Sequence, residues 1–227
     1  MKYERYDKME QKTQSQNPKI KIVIIDYHMG NVRSVFNALA HLGYSPLISN
    51  KKEDIESSDR LILPGVGAFS VGMYNLKKLN LIELLNKQVL EKKKPILGIC
   101  LGAQLFTKKG YEGGEFDGLG WIDAEVVRIE PSDRKLKVPH IGWNDVSLAN
   151  PNPSILFKDV KELDFYFVHS YYIKCKDKKK VTSEFEYGDN YTASIEQDNI
   201  FGVQFHPEKS QLNGLKLLQN FIEMSKK

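Results

Sequence analysis

Only two cysteines, Cys100 and Cys175, occur in 227 residues, so no disulfide framework staples this chain. No Cys-x-x-Cys pair is present and the five histidines are scattered. That argues against a zinc site, and no metal or other cofactor is expected. Long hydrophobic runs are missing as well. The longest pure ones, such as Ile22-Val23-Ile24-Ile25, are strand-sized rather than membrane-spanning. The N-terminus lacks the apolar core of a secretory signal, so the expected location is the cytoplasm, with no membrane partner. A strong excess of one charge is also absent: the formal net charge is +4. The densest basic run, Lys174 to Lys180, is interrupted by Cys175 and Asp177 and carries no interleaved aromatics. It reads as a solvated turn, and no nucleic-acid partner is expected.

What is present is an ordinary globular composition, 41% hydrophobic and 27% charged. The length suits one α/β domain with a substantial core. Residues 1–19 are polar with little periodicity and read as a flexible extension. Residues 20–227 read as a single domain, with no internal repeat and no linker. The segment Asn150 to Pro153 is a turn-rich loop within it.

In the first half, strand-like apolar runs alternate with helical patterns, which points to a parallel sheet covered on both faces. Strands are expected at Lys21–Asp26, Ser45–Ser49, Arg60–Leu63 and Ile96–Ile99. Asn31 is placed to cap a helix carrying Val32, Val35, Phe36, Leu39 and Leu42 at helical spacing, and Gly43 to end it. Leu81 to Lys94 reads as an amphipathic helix stopped by Pro95. After residue 100 the rhythm changes. Val126–Ile129, Asp164–Val168, Tyr171–Ile173, Tyr191–Ile195 and Phe201–Phe205 are strand-like without long helices between them, so this half is antiparallel or mixed. Leu212 to Met224 closes the chain as a helix.

The stretch Gly98-Ile99-Cys100-Leu101-Gly102 follows a buried run and precedes the helix-like Ala103-Gln104-Leu105-Phe106. It has the form of a nucleophile elbow written with sulfur. The flanking glycines would allow a tight turn, and a following helix N-terminus would stabilise thiolate and oxyanion. An inert cysteine packed on a strand end is the competing reading. A nucleophilic cysteine needs a base and a group to orient it. Phe205-His206-Pro207-Glu208 supplies both: in extended chain, His206 and Glu208 face the same way and Pro207 stiffens the link. Glu208 would accept the imidazole Nδ1–H, leaving Nε2 for the thiol. Pro64-Gly65-Val66-Gly67-Ala68-Phe69 follows a strand. Its glycines let the amides of Gly65, Val66 and Gly67 join that of Leu101 as oxyanion donors, or simply make a tight turn.

These strings together carry a resemblance. Gly98-Ile-Cys-Leu-Gly-Ala-Gln104 with His206-Pro-Glu208 resembles the class I (triad) glutamine amidotransferases. Asp26-Tyr-His-Met-Gly-Asn31, Pro64-Gly-Val-Gly-Ala-Phe69, Pro139-His-Ile-Gly-Trp-Asn144, Tyr166-Phe-Val-His-Ser-Tyr171 and His206-Pro-Glu-Lys-Ser210 narrow it to the glutaminase subunits of imidazole glycerol phosphate synthases. It runs from about Lys21 to the C-terminus. One departure is His28, where that family usually has glycine.

The resemblance implies a flavodoxin-like open sheet, mostly parallel, with antiparallel strands in the C-terminal half and helices on both faces. It implies that Cys100 attacks the carboxamide of L-glutamine, with His206 and Glu208 completing the triad. Gln104 and Glu112 match positions that hold the glutamine head group, and His169, Ser170 and Tyr171 would line the pocket. It implies delivery of ammonia to a (β/α)₈ cyclase subunit in a heterodimer of histidine biosynthesis. Asn31, Trp143, Asn144 and Lys209 match positions at or near that interface. The alternatives are a paralogous amidotransferase feeding a cyclase-like partner in surface-sugar synthesis, and a non-glutaminase cysteine-elbow protein.

Overall fold

The structure, a computed structural model, describes residues 20–149 and 154–225. The expected N-terminal extension and the loop Asn150 to Pro153 lie outside the described residues. The first half is built of β1 (Ile22–Ile25), α1 (Val32–His41), β2 (Leu47–Ser49), α2 (Lys52–Ser57), β3 (Arg60–Gly65), α3 (Phe69–Lys78), α4 (Leu81–Asn86) and β4 (Ile96–Cys100). The second half contains α5 (Leu101–Gln104), β5 (Thr107–Gly110), β6 (Phe116–Asp117), β7 (Ile122–Arg128), β8 (His140–Leu148), β9 (Asp164–His169) and β10 (Tyr171–Cys175). Then follow β11 (Val181–Tyr187), β12 (Asp189–Gln197), β13 (Ile200–Val203) and α6 (Gln211–Glu223).

One sheet has nine strands in the order β2-β1-β3-β4-β13-β12-β11-β8-β9. From β2 to β13 every pairing is parallel, and from β12 outward every pairing is antiparallel. The expected mixed architecture is present. The parallel strands lack alternation because both their faces are covered. Ile22 and Ile24 pack into one cluster with Leu97, Ile99 and the apolar face of α6, while Val23 and Ile25 pack into the other with Leu63, Leu101 and Leu105.

Sequence reasoning missed β8, β11 and a second sheet, β10-β7-β5-β6. β8 is apolar on neither face consistently: Ile141 and Trp143 are exposed while His140 is buried. Hydrophobic periodicity has no purchase on such a strand. The expected helix Leu81–Lys94 is also revised. It is α-helical only to Asn86, then widens into a π-turn at Lys87–Glu91, with Lys92 N–H donating to the Lys87 carbonyl five residues back. Gly43 does end α1, at φ +84°. Asn31 precedes α1, but its side chain makes no capping bond; it is engaged elsewhere, as described below.

Candidate active site

Cys100 ends β4 at the centre of the sheet, with β3 on one side and β13 on the other. Strand C-termini at such a place form the crevice where open α/β sheets bind ligands. The backbone of Cys100 has φ 52° and ψ −112°. A non-glycine residue held there is strained, as a nucleophile elbow requires. The expectation that the flanking glycines supply the turn is corrected: the strain sits on Cys100 itself. The glycines serve close approach instead. A Cβ on Gly98 would lie 2.6 Å from the backbone of Ala103, and one on Gly102 would lie 1.7 Å from the Leu63 carbonyl oxygen. Bare α-carbons let α5 sit directly on the sheet, which aims the cysteine out of it.

β13 runs parallel to β4, with Val203 beside Ile99. That register sets Gln204 level with Cys100, and two residues further on, where the strand has ended, His206 lies against the sulfur. Its Nδ1–H donates to Glu208 Oε1 at 2.8 Å, and both side chains are buried. The expected extended segment is corrected, because Pro207–Lys209 forms a 3₁₀ turn. Histidine and carboxylate meet across that turn rather than along one face of a strand. The turn is held firmly. His206 N–H donates to the Tyr166 carbonyl at 2.9 Å, and Ser210 Oγ donates to the His206 carbonyl at 2.7 Å. Asn31 Nδ2 also donates to Glu208 Oε1, so the carboxylate is clamped from α1. Asn31, expected near the partner, is half-buried and gives its side chain to this carboxylate.

Burial works against a charge on His206. The Cys100 sulfur and the Glu208 carboxylate outweigh it and raise the imidazole pKa to about 10. Its Nε2 has no hydrogen-bond partner of ordinary geometry among the described residues, leaving that nitrogen available for a proton transfer.

A cavity of about 480 Å³ opens at Cys100, and Gln104, Glu112, Ser170 and Tyr171 line it together with His169. All five expected substrate residues thus come to one place. The His169 ring, however, is committed to a neighbouring histidine and to the Tyr171 carbonyl. Glu112 Oε2 accepts from Phe69 N–H at 2.9 Å. Of the expected oxyanion donors, Leu101, Val66 and Gly67 reach the cavity wall, but Gly65 does not. Gly65 pairs with Cys100 within the sheet, and its α-carbon abuts the Tyr27 hydroxyl. The Val66 N–H is already donated to the Met29 carbonyl at 3.0 Å. In this arrangement Leu101 offers an N–H at the start of α5, and Val66 does not contribute one.

Beside the cavity mouth, Lys209 lies 5.7 Å over the Tyr166 ring, and Trp143 packs edge-on against the same ring. Ile141 is 60% exposed and Trp143 44%. Trp143 is therefore a surface residue; Trp121 is the buried one. Asn144 is partly buried, donating to Glu186 O at 2.9 Å.

Sequence reading passed over Gln204, His140, Tyr27 and Ser210. Gln204 and His140 carried a usable signal, as polar residues next to the catalytic-type strings yet flanked by apolar ones.

A strained cysteine elbow that opens on a cavity, with a histidine–carboxylate dyad against the sulfur, makes the chemistry of a cysteine-dependent α/β acyl-transfer enzyme. The family model "Glutamine amidotransferase class-I" matches residues 23–224. "Imidazole glycerol phosphate synthase subunit HisH 1" of Campylobacter jejuni (strain RM1221) is 51% identical, over 89% of this chain and 100% of that protein. "Imidazole glycerol phosphate synthase subunit HisH 2" of Pseudomonas aeruginosa is 48% identical, over 89% of this chain and 99% of that protein. A solved "Crystal structure of glutamine amidotransferase" superposes with a TM-score of 0.69, at 21% identity, over 88% of this chain and 97% of that one. This chain belongs to the class-I glutamine amidotransferase family and, within it, to the HisH subunits of imidazole glycerol phosphate synthase.

Proposed function

We propose that this chain hydrolyses L-glutamine and passes the ammonia to a (β/α)₈ cyclase subunit that makes imidazole glycerol phosphate. Cys100, as thiolate, attacks the side-chain carboxamide carbon. His206, protonated and oriented by Glu208, gives its proton to the departing nitrogen. Ammonia leaves and a γ-glutamyl thioester remains. Water, deprotonated by His206, then attacks the thioester, and glutamate is released as Cys100 regains its thiolate. Leu101 N–H receives the developing oxyanion. A second donor requires Val66 to give up the Met29 carbonyl, which the positive φ of Gly67 and the exposure of Val66 favour. Gln104, Glu112, Ser170 and Tyr171 hold the amino-acid end, with the Glu112 carboxylate suited to an α-ammonium.

The observation that carries this reading is the strained Cys100, which opens on a cavity lined by Gln104, Glu112 and Tyr171 and lies against the imidazole of the 2.8 Å His206–Glu208 dyad. Ammonium is not a nucleophile, so ammonia must leave by a route shielded from water. The exposed Ile141 and Trp143 with Tyr166 and Lys209, beside the cavity mouth, form the face on which a cyclase subunit would dock. The chain alone should then be a slow glutaminase that its partner accelerates. The test is glutamate release by wild type and Cys100→Ala, each with and without the co-expressed (β/α)₈ subunit. Loss of release in the variant, and acceleration of wild type by the partner, are expected. Retained hydrolysis in Cys100→Ala would falsify the mechanism.

A second reading keeps the glutaminase and changes the ammonia's destination to a nucleotide-sugar acceptor on a cyclase-like partner. One feature favours it: His28 departs from the glycine usual in the family at this place, in the loop before α1. Supplying the reconstituted complex with each acceptor separates the two.

A further inference from the structure

Behind the sulfur lies a row of amides and imidazoles of which the mechanism above uses only Gln104 and Tyr171. Gln204 is 2% exposed, and its Nε2 points at Cys100 Sγ at 3.5 Å. Gln204 Oε1 accepts from Gln104 Nε2 at 3.0 Å. The other hydrogen of Gln104 Nε2 goes to the Tyr171 carbonyl, also at 3.0 Å. That carbonyl accepts a second bond, from His169 Nδ1 at 2.9 Å. His169 Nε2 meets His140 Nδ1 at 3.2 Å, and His140 Nε2 meets Asn144 Nδ2 at 3.3 Å.

The direction of every bond in this row follows from the Tyr171 carbonyl, which can only accept. His169 must carry its proton on Nδ1, so its Nε2 accepts from His140 Nδ1–H. His140 Nε2 then accepts from Asn144. Both rings are neutral, since burial depresses their pKa values to about 4 for His140 and about 3 for His169. Gln104, whose two N–H groups are both spent, fixes which end of the Gln204 amide faces Cys100. Had Gln204 been flipped, two N–H groups would oppose each other and two acceptors would face across the sulfur. Its N–H end, not its oxygen, therefore meets Cys100.

We propose that Gln204 is a catalytic residue of this site: its buried N–H donates to the Cys100 thiolate and holds it, while Gln104 and the Tyr171 carbonyl position that amide. A hydrogen bond to a charged acceptor is among the stronger ones, and here no water competes for the donor. The other groups facing the sulfur are His206, held by Glu208, Ser210 and the Tyr166 carbonyl, and Tyr27, in the loop after β1. The row ends at Asn144 on β8, adjacent to the exposed Trp143, so the sulfur's environment is joined to that outer face by five side chains and one carbonyl.

The proposal rests on the glutaminase reading only for the word catalytic; the thiolate contact is testable without substrate. The experiment is alkylation of the full chain by iodoacetamide across pH, with labelling of Cys100 read by peptide mass spectrometry so that Cys175 does not contribute. Gln204→Leu removes the donor. Gln204→Glu keeps the shape and the bond from Gln104 but replaces the N–H by an acceptor. We expect the pH midpoint of Cys100 labelling to rise by about one unit in Gln204→Leu and by more in Gln204→Glu. Turnover of glutamine should fall about tenfold or more, with KM changed less than about threefold. A purely structural role would lower the thermal midpoint and leave the labelling midpoint where it is. Wild-type labelling midpoints in both variants would overturn the proposal, even if Cys100→Ala abolishes hydrolysis. A raised midpoint with hydrolysis surviving in Cys100→Ala would uphold the thiolate contact and sink the glutaminase reading instead.

Discussion

Glu208 shows how much one carboxylate decides at this site. Its Oε1 takes the His206 Nδ1–H and an Asn31 N–H, so Nδ1 keeps its proton and Nε2 is the nitrogen that gives and takes one. Glu208→Gln keeps the shape but places an amide where a charge stabilised the imidazolium. An amide can also present N–H to Nδ1, which would force the proton onto the wrong nitrogen. The expected outcome is a fall in kcat of about 10²-fold or more, with KM for glutamine little altered. Steady-state kinetics of the partnered enzyme checks it, and an unchanged kcat would show that the carboxylate only packs. His206 and Glu208 were legible as a pair because both residue types sit two apart after an apolar run. The turn that joins them was not legible, since Pro207 suits extended chain and the start of a 3₁₀ turn equally.

At the scale of elements, the decisive contact is α5 against β3 and β4. Glycine is required there by space and not by dihedral angle. Gly102→Ala would drive a methyl group to 1.7 Å from the Leu63 carbonyl oxygen, in a central strand that cannot yield. A loss of more than about 3 kcal/mol of stability is expected, enough to abolish folding in a marginal protein. Gly113→Ala offers the comparison: its φ is +70° but nothing lies within 4 Å of the added carbon. That change should cost only about 1 kcal/mol, the strain of a left-handed alanine. Urea unfolding of the two variants measures the difference, and equal losses would refute this account of the elbow. The sequence marks these glycines as special, yet it cannot separate a glycine needed for its φ from one needed for its missing side chain.

Across the whole molecule, the buried His140–His169 pair ties stability to pH. In the unfolded chain both rings titrate near the usual value of about 6.5. In the folded chain burial holds His140 down to about 4 and His169 to about 3. Below pH 6.5 the unfolded chain therefore binds protons that the folded chain refuses. The stability contributed by the neutral pair is intact above that pH. It drains as the pH falls toward the folded values. Thermal midpoints between pH 7 and 4.5 should drop, and His140→Gln should make the drop shallower. An identical slope in the variant would show that the pair is not responsible. Neither histidine advertised this pairing, because 29 positions separate them in the chain and only the β8–β9 register sets His140 opposite His169.

Local chemistry written in order along the chain was enough to determine a good deal here. Apolar runs buried on both faces marked the parallel strands. A cysteine between strand and helix, a histidine two residues from a glutamate and a Pro-Gly-Val-Gly loop marked the reacting groups. Hydrophobic period and residue type act over a few positions and survive in the one-dimensional string. Three matters were decided only by the tertiary structure: that strain falls on Cys100 rather than its glycines, that the Val66 amide is spent on Met29, and that Gln204 faces the sulfur. Each depends on which strands lie side by side and how closely. Sheet order and the hydrogen bonds it forces come from long-range packing, which no local pattern records.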